Sequence, residues 1–239
     1  MCIRDSIVID GHCEASQIEA GGDVIIRKGC QGKGLGKIIA GKSIVGQFFE
    51  SAVLTAGKDV QATYLLNCQL KANGKLLVEG RKGVIIGGKT CAKLGVSCNG
   101  IGNIAEIATV VSVGIDKEDM TAYQELQKKI EQTQAELQTC ENGLNKLMAN
   151  PVHDEKVSMM IQRLTRAVYT LKSSRKELFS ERDAQMEQMT KQKEARIQVS
   201  GRVYLGTLLF LNEDPFAIKE IYNNVEFVKH DNRIDTLAH

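Results

Sequence analysis

Between Ile18 and Ala92 the apolar and turn-forming positions repeat one short phrase five times. An apolar residue opens each copy: Ile18, Ile38, Leu54, Leu70 and Val84. Three positions later stands a turn residue, Gly21, Gly41, Gly57, Asn73 or Gly87. Three positions after that comes Val24, Ile44, Val60, Leu76 or Thr90. The copies are 20, 16, 16 and 14 residues apart. Around each turn residue apolar positions alternate with polar or small ones, the period of a strand. A repeat this short holds a strand–turn–strand coil and has no room for a helix. One coil cannot bury its apolar side alone, but a stack of them buries a continuous column of Ile, Val and Leu. The spacing therefore predicts stacked parallel strands over 18–92, with the five turn residues in one column. Gly or Asn at that register is expected to mark a backbone site with positive φ. An antiparallel sheet fits less well, because hairpin turns need not recur in one register.

The flanking pattern extends this picture. Ile7 to Glu19 reads as an incomplete first coil, and Gly29 to Gly36, with four glycines, as a loop leaving the wall. Ala108 to Gly114 is a β-branched strand. At Asp116 the period changes to that of a helix. Tyr123, Leu126, Ile130, Thr133, Leu137, Cys140, Leu144 and Leu147 alternate steps of three and four, a coiled-coil seam. Asn150-Pro151 ends that helix and Asp154 caps a second. The second seam runs Val157, Ile161, Leu164, Val168, Leu171, Leu178 and Met189, with Arg175, Arg182 and Gln185 intruding. Two such helices joined by a short loop pack as an antiparallel hairpin about 45–60 Å long. Strand grammar returns at Ile197, Val199, Val203 and Leu208–Leu211, and Val225 to Leu237 reads as a closing hairpin turning at Asp231-Asn232. The expected fold is mainly β with an α-helical insertion: a right-handed parallel β-helix over 7–115, a coiled-coil hairpin over 116–195, and a return to the β-helix with a closing hairpin over 196–239.

Composition adds a few bounds to the 239 residues. The 22 glycines follow from the repeats, and no apolar run is long enough to span a membrane. Residues 1–6, Met-Cys-Ile-Arg-Asp-Ser, look like translated sequencing-adapter sequence, so they are expected to be a non-native scar and the natural start to lie elsewhere. The seven cysteines are odd in number and contain no C-x-x-C pair. That signals neither a disulfide framework nor a zinc site, and favours reduced, buried thiols at Cys30, Cys68, Cys91 and Cys98 in a cytoplasmic protein. Net charge is only +2, yet Gly21 to Asn99 carries twelve basic residues against four acidic ones.

The chain resembles the bacterial flagellar assembly protein A family over roughly residues 7–239. The resemblance is carried by the turns Ala20-Gly21-Gly22-Asp23 and Ala56-Gly57-Lys58-Asp59, by Gly80-Arg81-Lys82-Gly83-Val84-Ile85-Ile86-Gly87-Gly88, and by Ala195-Arg196-Ile197-Gln198-Val199-Ser200-Gly201-Arg202-Val203-Tyr204. The order β-helix, coiled-coil hairpin, return to β is shared as well. Leu205 stands where the family often has Pro before Gly206. The resemblance implies a cytoplasmic bacterial protein acting in flagellar assembly or polar organisation, and brings no catalytic residues with it.

Candidate chemistry is sparse. Gly36 to Ser43 satisfies the phosphate-loop pattern G-x-x-x-x-G-K-[ST], but such a loop must open a helix, and here a further strand is expected. The repeats hold only Asp23, Glu50, Asp59 and Glu79 as acids, with no acid/base pair, and the histidines are scattered. Lys42 and Lys58 share one register beside the turn, and Lys75 and Lys89 are expected to share the next, with Asp23 and Asp59 answering the stacked cations. At the hairpin tip Leu147, Met148, Met159 and Met160 cluster with Pro151 and Val157, and Met159 and Met160 cannot both face the seam. The expected function is a non-enzymatic scaffold or interaction protein. It needs no cofactor or metal and engages protein partners or a second copy rather than nucleic acid. Leu147, Met148, Met159, Met160, Lys42 and Lys58 are its candidate contact residues. A polysaccharide-binding solenoid or carbohydrate-active enzyme is the alternative, for which the repeats offer only Phe48, Phe49 and Tyr64 as groove aromatics.

Overall fold

The computed structural model describes residues 5–80, 82–149, 154–231 and 233–238. The chain winds as a parallel β-solenoid with three walls. The first wall stacks Ile7–Ile9, 24–26, 44–46, 60–62, Lys75–Val78, 95–98 and 197–199. The second stacks His12–Glu14, 29–31, 48–50, 64–66, 84–86, 100–101 and 202–203. The third stacks Gln17–Ala20, 37–40, 52–56, 69–72, 89–92, Thr109–Val113 and Thr207–Leu211. Every one of these pairings is parallel, as the repeat predicts.

Alternation within each wall sends one side chain inward and the next out. Inward residues from all three walls, among them Val24, Ile44, Phe49, Leu65, Ile85, Leu54 and Leu76, are completely or almost completely buried. Each such side chain contributes about 1.5–3 kcal/mol when removed from water. The corner from the third wall to the first is built from small residues. Ala20, Ala40, Ala56, Ala72 and Ala92 stand in one register and are all buried.

The first four turn residues stack as expected, but for a different reason. Gly21, Gly41 and Gly57 do not have positive φ. Glycine is needed because the backbones close in: a Cβ at Gly57 would strike the carbonyl oxygen of Gly41, and one at Gly41 that of Gly21. The left-handed column lies at the next corner but one, leaving the second wall, where Ala15, Ser51, Asn67 and Gly87 have φ of 42°, 48°, 50° and 67°. Only Gly87 of these is a glycine, so the column is invisible to a search for glycines.

The fifth copy is out of register. Leu70 pairs with Thr90 rather than with Val84, so Val84 and Gly87 belong to the second wall and its exit corner. The segment between Val78 and Val84 fills a corner that Thr63 alone fills one rung earlier, and this insertion shifts the period. Lys89 consequently pairs with Gln69 and Val110 in the third wall, while Lys75 pairs with Gly95 in the first; the two do not share a column. Two further expectations change. Ile7 to Ala20 crosses all three walls and is a whole rung. Of Gly29 to Gly36, residues 29–31 and Gly36 stay in the ladder, and only the stretch between bulges out, around Lys33 and Gly34 with φ of 50° and 79°.

The chain forms two compact units, Met1–Asp116 with Thr190–His239, and Lys117–Met189. The second unit contains two helices, α1 (Lys117–Met148) and α2 (Glu155–Lys193), of which the last turn of α2 belongs to the first unit. Burial follows the predicted seam. Leu126, Ile130, Leu137 and Val168 are buried, and Tyr123, Leu144, Leu147, Ile161, Leu164, Leu171 and even Arg175, Arg182 and Gln185 are half-buried. Lys172 Nζ reaches Glu141 Oε1 at 2.8 Å and Leu164 lies over Gly143, so the helices run antiparallel. Asp154 Oδ1 accepts from the Glu155 N–H at 2.7 Å, and its carbonyl from the Ser158 N–H, at the start of α2. Asn150 and Pro151 lie outside the described residues.

The solenoid resumes after the insertion without losing register, Val113 pairing with Leu211 and Val96 with Ile197. Asn212 fastens the two roots together. Its Oδ1 accepts from the Ile115 N–H at 2.9 Å and its Nδ2 donates to the Lys193 carbonyl at 3.2 Å. Antiparallel strands then cover the end of the stack: Asp214–Ala217 on the third wall and Tyr222–His230 on the first and second, with Arg233–Ala238 completing the expected hairpin. Phe216, Tyr222 and Phe227 form an aromatic cluster beneath this cap, with ring centroids 5.6–6.4 Å apart. The strand at Asp214–Ala217 has no signal in the repeat.

Replacing Gly57 with Val should lower stability by about 1–3 kcal/mol through this backbone contact. Asn73→Val, one rung along where a side chain is already accommodated, should cost less. Thermal melts of both variants decide it, and equal melting temperatures would show that the corner tolerates a Cβ.

Candidate functional site

The corner carrying Lys42 and Lys58 is built by backbone bonds between rungs. The Lys58 N–H donates to the Lys42 carbonyl at 2.9 Å, and Gly74 N–H to Lys58 at 2.9 Å, so the two lysines stack as predicted, both exposed. Asp23 and Asp59 have a different task from the one expected of them. Asp23 Oδ1 accepts from the Ser43 N–H at 3.0 Å and Asp59 Oδ1 from the Lys75 N–H at 2.7 Å. Each carboxylate thus caps the backbone of the following rung, which accounts for aspartate at the end of the two Ala-Gly turns.

Beside this corner a cleft of about 560 Å³ opens on the outside of the first wall. Leu77, Ser97 and Gln198 are in register there and form its floor. Lys75, Leu94, Lys191, Glu194 and Arg196 complete its lining, with Lys75, Gly95 and Arg196 in the neighbouring column. Arg196 Nη1 is held by Oε1 of Glu226 at 3.1 Å, a carboxylate almost wholly buried, while Arg196 itself stays 59% exposed. These residues run from Lys75 to Gln198, more than a hundred positions apart, and no sequence motif joins them.

At the hairpin tip Met148, Met159 and Met160 are 63%, 51% and 55% exposed, whereas Leu147 is half-buried in the seam register. On the solenoid, Phe49 is fully buried core. Phe48 and Tyr64 are neighbours on the outer second wall, where Lys82 Nζ sits 5.9 Å from the Tyr64 ring centre. The phosphate-loop match falls on the end of the strand Val24–Ala40 and the turn that follows, and the strand Ile44–Ala56 comes next where a helix would have to open. Among the described residues no group of His, Cys, Asp or Glu is placed to hold a metal ion, and no helix is long and apolar enough to cross a membrane.

A family model described as flagellar assembly protein A beta solenoid domain matches residues 4–234. The chain belongs to this family. The match spans the helical insertion as well as both parts of the solenoid. No curated protein and no solved structure matches the chain. The motifs that carry the family resemblance now have physical roles: the alanines are the buried corner, the glycines the close backbone approach, the aspartates the caps between rungs.

The six described cysteines are free, and Cys13, Cys30, Cys68 and Cys98 are buried. Burial pushes the Cys30 thiol up to about 11 and that of Cys98 to about 12, and raises Cys13 and Cys68 as well. Such thiols are inert, because the thiolate is the reactive form. Iodoacetamide at pH 8 should therefore modify Cys140 in the folded protein well before Cys30 or Cys98, and all of them in urea. Equal rates in the native state would contradict the burial. These thiols favour the folded state while neutral, a contribution present below their ordinary value near 9 and lost as pH climbs toward 11–12.

Proposed function

We propose that this member of the flagellar assembly protein A family is a non-enzymatic scaffold, acting in the bacterial cytoplasm in flagellar assembly or polar organisation through protein–protein contacts. In this reading the solenoid is the rigid body and the coiled-coil hairpin is the partner-binding arm. The supporting observation is the tip: the seam consumes Leu126, Ile130, Leu137 and Val168, yet Met148, Met159 and Met160 remain exposed together. Exposed apolar side chains near the end of a helical hairpin are costly in water unless covered, and methionine suits an adaptable contact surface.

Replacing residues 140–164 with a short Gly linker tests the role of the arm. Circular dichroism should still report a folded β-solenoid, since the hairpin enters and leaves at one corner. Capture of flagellar components from a lysate of a flagellated bacterium should be lost. Capture that survives the deletion makes the arm a spacer and moves the contact to the solenoid. Sedimentation of both proteins separates loss of partner binding from loss of self-association.

A further inference from the structure

The cleft on the first wall is not used by the scaffold reading above, and its chemistry is more specific than that of a solvated face. We propose that the Lys42–Lys58–Lys75 corner and the adjoining cleft form a docking groove for an acidic, extended polypeptide segment that carries an apolar side chain among its carboxylates.

The backbone stack of the corner leads to the cleft, Gly74 accepting from the Leu94 N–H at 3.0 Å and Leu94 lining it. Lys42 and Lys58 are joined through one backbone hydrogen bond and Lys58 and Gly74 through the next, and Lys75 follows Gly74 on the cleft's rim. Rungs rise by about 4.8 Å, so side chains of neighbouring rungs lie within reach of one extended strand. Lys191 and Arg196 add to its lining. Arg196 is oriented before any ligand arrives: Glu226, buried against the cap, holds one edge of its guanidinium and leaves the rest of the fork exposed. A fixed guanidinium suits planar carboxylate recognition, since the geometry need not be ordered on binding. Asp23 and Asp59, the acids nearest the lysines, are engaged with backbone N–H groups and do not fold over the cations.

The floor decides the class of ligand. Leu77 lies in it beside Ser97 and Gln198, with Leu94 also in the lining, which calls for an apolar group between the charges and for hydrogen bonds to a peptide backbone. A nucleic-acid phosphate chain offers dense, regular charge but no apolar side chain for the floor at Leu77. The site is concave, whereas an anionic bilayer presents a flat face. A volume of about 560 Å³ accommodates a few residues.

The test uses the full 239-residue chain and a fluorescein-labelled Glu-Glu-Leu-Glu-Glu-Leu-Glu peptide, read by anisotropy. Saturable binding is expected, weakening with salt as the screening length contracts from about 10 Å at 0.1 M to about 3 Å at 1 M. Lys58→Glu with Lys75→Glu should weaken it about tenfold or more. Leu77→Ser, which changes only the floor and adds no charge, should weaken the Leu-containing peptide but spare an all-Glu version of similar charge. Met159→Ser with Met160→Ser should leave the affinity unchanged, which separates this groove from the arm. Circular dichroism and melting temperature check each variant for folding. The proposal is overturned by absence of saturable binding to the parent, or by equal affinity in the folded Lys58/Lys75 variant. A single-stranded oligonucleotide, or phosphatidylserine vesicles, binding more tightly than the peptide and losing to the same variant would also overturn it.

Discussion

Close approach of backbones at one corner governs the structure. Where the chain turns from the third wall to the first, Ala20, Ala40, Ala56, Ala72 and Ala92 lie in register, and Gly41 and Gly57, after two of them, admit the carbonyl of the preceding rung. A larger residue there would spread the rungs, and spreading would break the hydrogen bonds of all three walls together, because each rung contributes one strand to each wall. The buried Ile, Leu and Val columns provide the stabilisation, but they can do so only at the spacing that this corner permits. Asp23 and Asp59 complete the arrangement by satisfying N–H groups of the following rung that the turn leaves without a strand partner.

Because the walls hold register so firmly, length variation is pushed into the corners. Extra residues around Lys33 and between Val78 and Val84 leave the pairings on either side intact. The helical hairpin is the extreme case of the same rule: it leaves after Val113 and returns before Ile197, and both ends rejoin the ladders they would have entered without it. Asn212 makes this possible locally by bonding Ile115 and Lys193, the residues on either side of the opening. The insertion is therefore a side branch on a rung, and the solenoid core does not depend on it for continuity.

The division between inside and outside also separates stability from recognition. Inward positions are mostly apolar, with buried Thr90, Thr109 and Thr207 in the third wall, and burial raises the thiols of Cys30 and Cys98. Outward positions have no packing duty, so charge can collect at the Lys42–Lys58 corner and an arginine can be held ready at the edge of the cleft. A structure of this kind presents fixed surfaces at regular spacing, well suited to contacts with extended or helical partners.

Much of this was legible in the chain itself. Period-two alternation with turn residues in one register fits stacked parallel strands better than hairpins, and the three–four alternation from Tyr123 to Met189 marked inward residues on both helices, including Arg175 and Gln185. The tip methionines and the Lys42–Lys58 stack follow from the same two periods. What the chain left undecided depends on neighbours in space. Gly57 stands opposite a carbonyl, and nothing local distinguishes that from a positive φ. Ala15 and Ser51 adopt left-handed backbone because the stack imposes it on residues that would not choose it, in one column with Asn67, which tolerates it. Val84 and Gly87 imitate the repeat at the wrong step, since a corner insertion shifts register without leaving a mark in composition. The cleft joins Leu77, Ser97 and Gln198 across the hairpin, and only the resumed ladder brings residues so far apart in sequence onto one wall.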